Sequence, residues 1–197
     1  MLEIKMIQKL NKNVLYLNYI PMTNSFLPAD YKSPSTEGGY MKFKAGQNKF
    51  RVLGSALIGW EYFNQDNKPQ RFAFDQKPTA PKDIKADGKV KHFRAFPVYN
   101  YQTNSIELLE LTQSSIMGTI KEYIDNPKWG NPTAYDIIVG RTGEGLETEY
   151  TVTVDPKEEI TKDIKEAYEG MNIYMEALFV GENPFTTVAP EPDNLPF

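Results

Sequence analysis

Leu146-Glu147-Thr148-Glu149-Tyr150-Thr151-Val152-Thr153-Val154 alternates strictly, with Leu146, Thr148, Tyr150, Val152 and Val154 on one face and Glu147, Glu149, Thr151 and Thr153 on the other. A period of two belongs to a half-buried strand. Upstream, residues 135–139 have the same character, and Thr142-Gly143-Glu144-Gly145 supplies turn residues between the two runs, so an antiparallel hairpin is expected.

Similar runs recur towards the N-terminus. Residues 49–53, 58–63, 71–74, 91–101 and 105–111 are β-branched or aromatic stretches separated by Gly, Asn, Asp and Pro, and read as short strands. Residues 75–91 hold Pro78, Pro81, Gly88 and five lysines, which predicts a mobile basic loop. Two helices interrupt the strand pattern. Ile116, Ile120 and Ile124 recur at i+4 behind a Thr112 cap, and Asn126-Pro127 ends that run. Asp155-Pro156-Lys157-Glu158 reads as a second helix start, carrying Ile160, Ile164, Ala167 and Tyr168 inward and stopping near Gly170. Residues 172–180 read equally as strand or helix.

The expected fold class is therefore α+β, mainly β, with short antiparallel strands and at least two added helices. Leu2, Met6, Leu10 and Val14 mark a short amphipathic helix in an N-terminal extension, 1–39, of which residues 1–21 are expected to lie outside the functional unit. The main domain is expected over 40–181. Residues 182–197, with four prolines and no periodicity, predict a disordered acidic tail.

Composition narrows the function classes. With 40% hydrophobic, 13% aromatic and 24% charged side chains, the 197 residues have an ordinary globular make-up, and no apolar run approaches the roughly 18 residues of a membrane span. The absence of cysteine excludes a disulfide framework and a thiolate zinc site and points to a cytoplasm; the single histidine, His92, leaves no imidazole cluster for a metal. Val14-Leu15-Tyr16-Leu17 is soon broken by Asn18, so no secretion signal is expected.

The net charge of −4 is unevenly spread. Residues 1–40, 41–96 and 97–197 carry balances of +1, +7 and −12. A middle third this basic reads either as a polyanion-binding face or as a solvated lysine-rich surface. It is also aromatic: Lys49, Arg51, Arg71, Lys91 and Arg94 interleave with Trp60, Tyr62, Phe72, Phe74, Phe93 and Tyr99. Cations that track phosphates beside rings that stack on bases suit single-stranded nucleic acid, and these eleven residues form the candidate binding set. Trp60 reads as core as readily as groove, whereas Phe72 and Phe74 beside Arg71, and Phe93 beside Arg94, are expected to be exposed.

No catalytic set emerges, and neither a metal nor a cofactor is expected. Gly140-Arg141-Thr142-Gly143-Glu144-Gly145 lacks the Lys-Ser/Thr of a phosphate loop and precedes a strand, so it reads as a hairpin turn. His92 has no partner carboxylate fixed by any motif, and Asp136, Glu147 and Glu149 read as the solvated face of the hairpin. Glu191-Pro192-Asp193-Asn194-Leu195-Pro196-Phe197 places acids before an apolar tip with a terminal aromatic. Asp193, Leu195, Pro196 and Phe197 are the candidate partner-binding motif.

The stretch 39–53 (Gly39-Tyr40-Met41-Lys42-Phe43-Lys44-Ala45-Gly46-Gln47-Asn48-Lys49-Phe50-Arg51-Val52-Leu53), followed by Gly59-Trp60-Glu61-Tyr62-Phe63 and Lys68-Pro69-Gln70-Arg71, resembles the single-stranded DNA-binding proteins of tailed bacteriophages. Tyr135-Asp136-Ile137 and Gly143-Glu144-Gly145-Leu146 extend the likeness, which spans roughly residues 22–197. The resemblance implies an OB-fold barrel and a non-enzymatic protein that coats single-stranded DNA during phage replication, recombination and repair. It implies a tail that recruits replication proteins, a place in the cytoplasm of an infected bacterium, and room for an oligomer. The alternative is a phage structural or assembly module that holds protein rather than DNA.

Overall fold

Strand β5 (Lys91–Asn100) is the axis of the molecule, hydrogen-bonded along one edge to β6 (Ser105–Leu111) and along the other to two different strands in succession. Its first half pairs with β3 (Leu57–Phe63), from Lys91 opposite Glu61 to Ala95 opposite Leu57. Its last three residues pair with the end of β2 (Gly46–Val52), Val98 opposite Val52 and Asn100 opposite Phe50. The sheet thus forks. One branch runs β2, β7 (Asp136–Thr142), β8 (Glu149–Val154); the other runs β3, β4 (Pro69–Ala73). Beyond β6, the two-residue β1 (Tyr40–Met41) adds in parallel. This computed structural model describes residues 39–186, all of which fall in the second of the two parts into which the chain divides, 36–197.

Pro97 sits at the fork. A proline inside a central strand normally forfeits a ladder hydrogen bond. Here its carbonyl accepts from Leu53 N at 3.0 Å, just where β2 has left the ladder and β3 has not yet joined it, so the edge bearing its nitrogen needs no donor. Gly59 serves the other branch. A Cβ there would lie 2.2 Å from the Phe72 carbonyl oxygen and 2.9 Å from the Phe93 ring, so only glycine admits β4 at this separation.

The alternation of side chains gives the sheet two covered faces. On the front, Phe50, Val52, Phe96, Val98, Leu109, Leu111, Ile137 and Val139 are buried beneath Ile116, Met117 and Ile120 of α1 (Ser114–Asp125). On the back, Phe93, Ala95 and Leu108 pack against Leu178 of the 3₁₀ turn Met175–Val180 and against Phe179 and Phe185.

The OB-fold barrel expected from the resemblance is not formed. Closure requires end strands to pair with each other. Here β1, β4 and β8 end the sheet and none pairs with another, so the sheet is open and mixed, and the fold is α+β without a barrel. The mechanism of single-stranded DNA binding implied by that barrel falls with it, as does the reading of the chain as an OB-fold phage replication protein.

Other expectations shift locally. The strand pattern expected from Leu146 begins at Glu149, because Gly145–Glu147 forms a 3₁₀ turn that leaves Leu146 fully exposed. The helix expected from Asp155 begins instead at Lys162, as α2 (Lys162–Glu169). Residues 155–158 are held extended by tertiary bonds: Asp155 N donates to Asp136 O at 3.0 Å and Glu158 N to Ala134 O at 3.0 Å. Gln113, not Thr112, occupies the cap of α1. The lysine-rich loop is tied down by Gln65 N to Asp83 O and Lys85 N to Phe63 O, at 2.9 and 2.8 Å. The 1–21 helix and the tail tip lie outside the described residues.

Asp136, expected on a solvated face, is buried. Its carboxylate accepts from Arg51 Nε at 2.5 Å and from Tyr101 Oη at 3.0 Å, and lies 2.9 Å from Lys49 Nζ. Asp136→Ala leaves the Arg51 guanidinium buried beside no carboxylate, and should cost about 3–5 kcal/mol, read as a fall in the urea midpoint. The double variant R51M/D136L should recover most of that loss. A single-variant loss below about 1 kcal/mol would contradict this placement.

Candidate ligand-binding cleft

The strand register divides the eleven expected contact residues between two faces. Trp60 lies opposite Phe72 and His92, and Ile58 opposite Arg94, so Trp60, Tyr62, Phe72, Phe74 and Arg94 share the front with α1. Lys49, Arg51, Arg71, Lys91, Phe93 and Tyr99 occupy the back. The two sets do not form one groove. Asp193, Leu195, Pro196 and Phe197 lie outside the described residues.

Most of the back set is engaged internally. Arg51 also donates to the Glu158 carbonyl at 2.8 Å, and Lys49 bonds Asp155 at 2.8 Å. The Asp155 and Asp136 carboxylates raise the Lys49 pKa. Burial, followed by the Asp136 charge, pushes the Tyr101 hydroxyl up to about 12. Tyr99 packs edge-on against Tyr101 at 5.1 Å. Phe93, expected at the surface, is wholly buried and meets Phe179 edge-on at 6.4 Å. Arg71 Nη2 lies 2.8 Å from Glu110 Oε2 and its Nε 3.6 Å from Glu61 Oε2, with the guanidinium 5.9 Å from the Phe93 ring centroid.

The front is different. Beyond the edge of α1, towards β3, a cleft of about 450 Å³ opens between helix and sheet. Its walls are Val52, Ile58, Phe96 and Leu111 from the sheet and Ile120 and Ile124 from the helix, with Arg94 among them. Ile58 and Ile124 remain 42% and 40% exposed, whereas Ile116 and Ile120 of the same helix stripe are buried.

An aromatic shelf continues the cleft along β3 and β4. Trp60 and Phe74 stack at 6.0 Å with 13° between their planes, and His92 meets both edge-on at 5.4 and 5.6 Å. Lys77 Nζ sits 4.1 Å above the Trp60 ring. The indole N–H already donates to the Phe74 carbonyl at 2.9 Å, so the tryptophan offers a ligand its ring face alone. Phe74 is 53% exposed. Tyr62 and Phe72 stack at 5.8 Å further along, Tyr62 buried and Phe72 half-buried. Burial, then the neighbouring Arg94 charge, lowers the His92 pKa from its ordinary 6.5, which keeps the imidazole neutral at pH 7.

A larger depression of about 690 Å³ on the other side of β3 is lined by Lys85, Lys89 and Lys91 together with Glu61 and Asp87. Its mixed charges single out no ligand. Among the described residues no three His, Asp or Glu side chains gather as a metal site, and no helix is long and apolar enough to cross a membrane. Searches against known protein families, curated proteins and solved structures find no match for this chain. The resemblance to phage single-stranded DNA-binding proteins, drawn over roughly residues 22–197, is overturned by the open sheet and has no family or fold match behind it.

Arg94, Trp60 and Phe74 were legible as contact candidates, but the cleft was not. The i+4 stripe Ile116, Ile120 and Ile124 is expected to be buried throughout, but Ile124 is exposed, and nothing local marks it or Ile58 as the member left uncovered.

Behind the shelf, burial raises the Glu61 pKa to about 7, helped by the Glu110 charge and a shared hydrogen bond and opposed by Arg71 and Lys91. Because the folded value exceeds the ordinary 4.5, the folded state keeps a proton that the unfolded chain releases, and stability is lost as pH rises from 4.5 through 7. Glu61→Gln should remove most of that loss. Denaturation at pH 5 and pH 8 should show a smaller drop for E61Q, by about 2–3 kcal/mol; equal drops would contradict the assignment.

Proposed function

We propose that this is a non-catalytic protein-binding module that takes a segment of a partner across the α1–β3 cleft and the aromatic shelf. One observation carries this reading: Ile58 and Ile124 stand exposed at an apolar cleft, with the exposed Phe74 on the shelf beside it, while Ile116 and Ile120 of the same helix stripe are buried. Contiguous exposed apolar surface is uncommon on a monomeric protein and marks contact sites. The cleft volume lies in the range of ligand pockets, roughly 300–1,000 Å³. The shelf is suited to anchoring because stacked rings lose little conformational freedom on binding, and aromatic anchors dominate interface energies. Covering one exposed isoleucine or phenylalanine contributes about 1.5–3 kcal/mol at most, and the partly exposed residues here correspondingly less. Several must be covered together for stable binding.

Peptides selected from a displayed random library against the full chain test the reading. Ile58→Asp and Ile124→Asp should each weaken the selected peptides at least tenfold, while urea midpoints stay near that of the unmodified protein because both side chains are part-exposed. Undiminished binding to both variants would overturn the proposal.

A further inference from the structure

The sequence contains four arginines, at 51, 71, 94 and 141, and all lie among the described residues. Arg51 pairs with Asp136, and Arg71 with Glu110 and Glu61. Arg141 Nη1 donates to the Phe43 carbonyl at 2.9 Å. Arg94 differs in its setting. It lines the cleft, half-buried among isoleucine, phenylalanine and leucine side chains, and its Nη1 donates to the Met117 carbonyl at 3.1 Å. Among the described residues no carboxylate pairs with Arg94 or with Arg141, whose buried Nε also lacks a partner, and it is Arg94 that lines the cleft.

A guanidinium presents five N–H donors in a planar fork, and one acceptor satisfies only one of them. Partly withdrawn from water, such a group favours a carboxylate, which can take two parallel bonds from the fork. The Met117 bond orients the guanidinium from the helix side. Nearby charge reinforces this preference, because Lys77 is held over the shelf.

We propose that Arg94 makes the cleft selective for an acidic apolar segment of a partner protein, whose apolar side chains fill the cleft while a neighbouring carboxylate takes the guanidinium. This rests on the reading of the cleft as a protein-binding site and adds the chemistry of the occupant. The carboxylate comes from Asp, Glu or a chain terminus. An extended segment, rather than a compact small molecule, suits a cleft that continues into the open shelf of Trp60 and Phe74.

The test uses fluorescein-labelled nonapeptides in which two Leu or Phe residues are followed by Asp or by Asn, each with a free or an amidated C-terminus. They are titrated against the full-length protein by fluorescence anisotropy. Carboxylate-bearing peptides should bind at least tenfold tighter than their neutral counterparts, and the advantage should shrink as salt screens the pair. Arg94→Met should remove the advantage while leaving the neutral peptides bound, and Arg94→Lys should restore part of it. If acidic and neutral peptides bind the unmodified protein equally, the role of Arg94 is overturned and the cleft reading stands; this arm needs no variant to fold. If no peptide binds, the cleft reading falls and this inference with it. An acidic preference that survives in folded R94M places the carboxylate elsewhere and overturns the proposal. So does Ile58-dependent self-association by light scattering, which would put a second copy in the cleft. Dodecanoate binding as tightly as the best peptide would assign the cleft to a small amphiphile and overturn it as well.

Discussion

The Asp136 carboxylate locks together, side chain to side chain, strands that the ladder has set next to each other. It receives Arg51 and Lys49 from β2 and Tyr101 from the end of β5, and it sits at the start of β7. Arg51 passes the connection to the Glu158 carbonyl, and Lys49 passes it to Asp155. The segment leaving β8 is thereby drawn back along the sheet instead of starting a helix. Taking these charges out of water costs several kcal/mol for each ion, which the pair recovers only because the remaining donors and acceptors are also satisfied. This polar network lies on the back of the sheet, and the cleft opens on the front.

Much of the secondary structure could be read locally. Residues 49–53, 58–63, 71–74, 91–101 and 105–111 all overlap strands, and Ile116 and Ile120 are the buried stripe of α1. Closure of the sheet could not be read, because it depends on which strands meet at the ends, and period-two alternation carries no such information. The same limit applied to the contact residues. Alternation showed that Arg71 and Phe72 face opposite ways without showing that the Arg71 side holds Glu61, Glu110 and the covered Phe93. Asp155-Pro156 has good helix-start chemistry, and tertiary bonds override it.

The uneven charge along the sequence also acquires a different meaning. Lys49 with Asp155, Arg51 with Asp136 and Arg71 with Glu110 each join a base from residues 41–96 to an acid from residues 97–197. Three of the bases that resemble a face awaiting a polyanion are one half of an internal match. Partners 106 and 85 positions apart are invisible to any local reading of Lys49 and Arg51. Among the described residues Arg94 and Arg141 have no such match, and of the two it is Arg94 that lines the cleft, a contrast that requires all four arginines to be seen in place.

The fork at Pro97 sets how the front surface is supported. The β2–β7–β8 and β3–β4 branches share β5 as a common support but no rung with each other, and only residues 53–56 run directly between them. Ile58 belongs to one branch, and Val52, on the other side of the cleft, to the other. The cleft is therefore lined from both branches, and β5 is the strand tied by ladder bonds to each of them, so the floor is continuous although β2 and β3 share no rung.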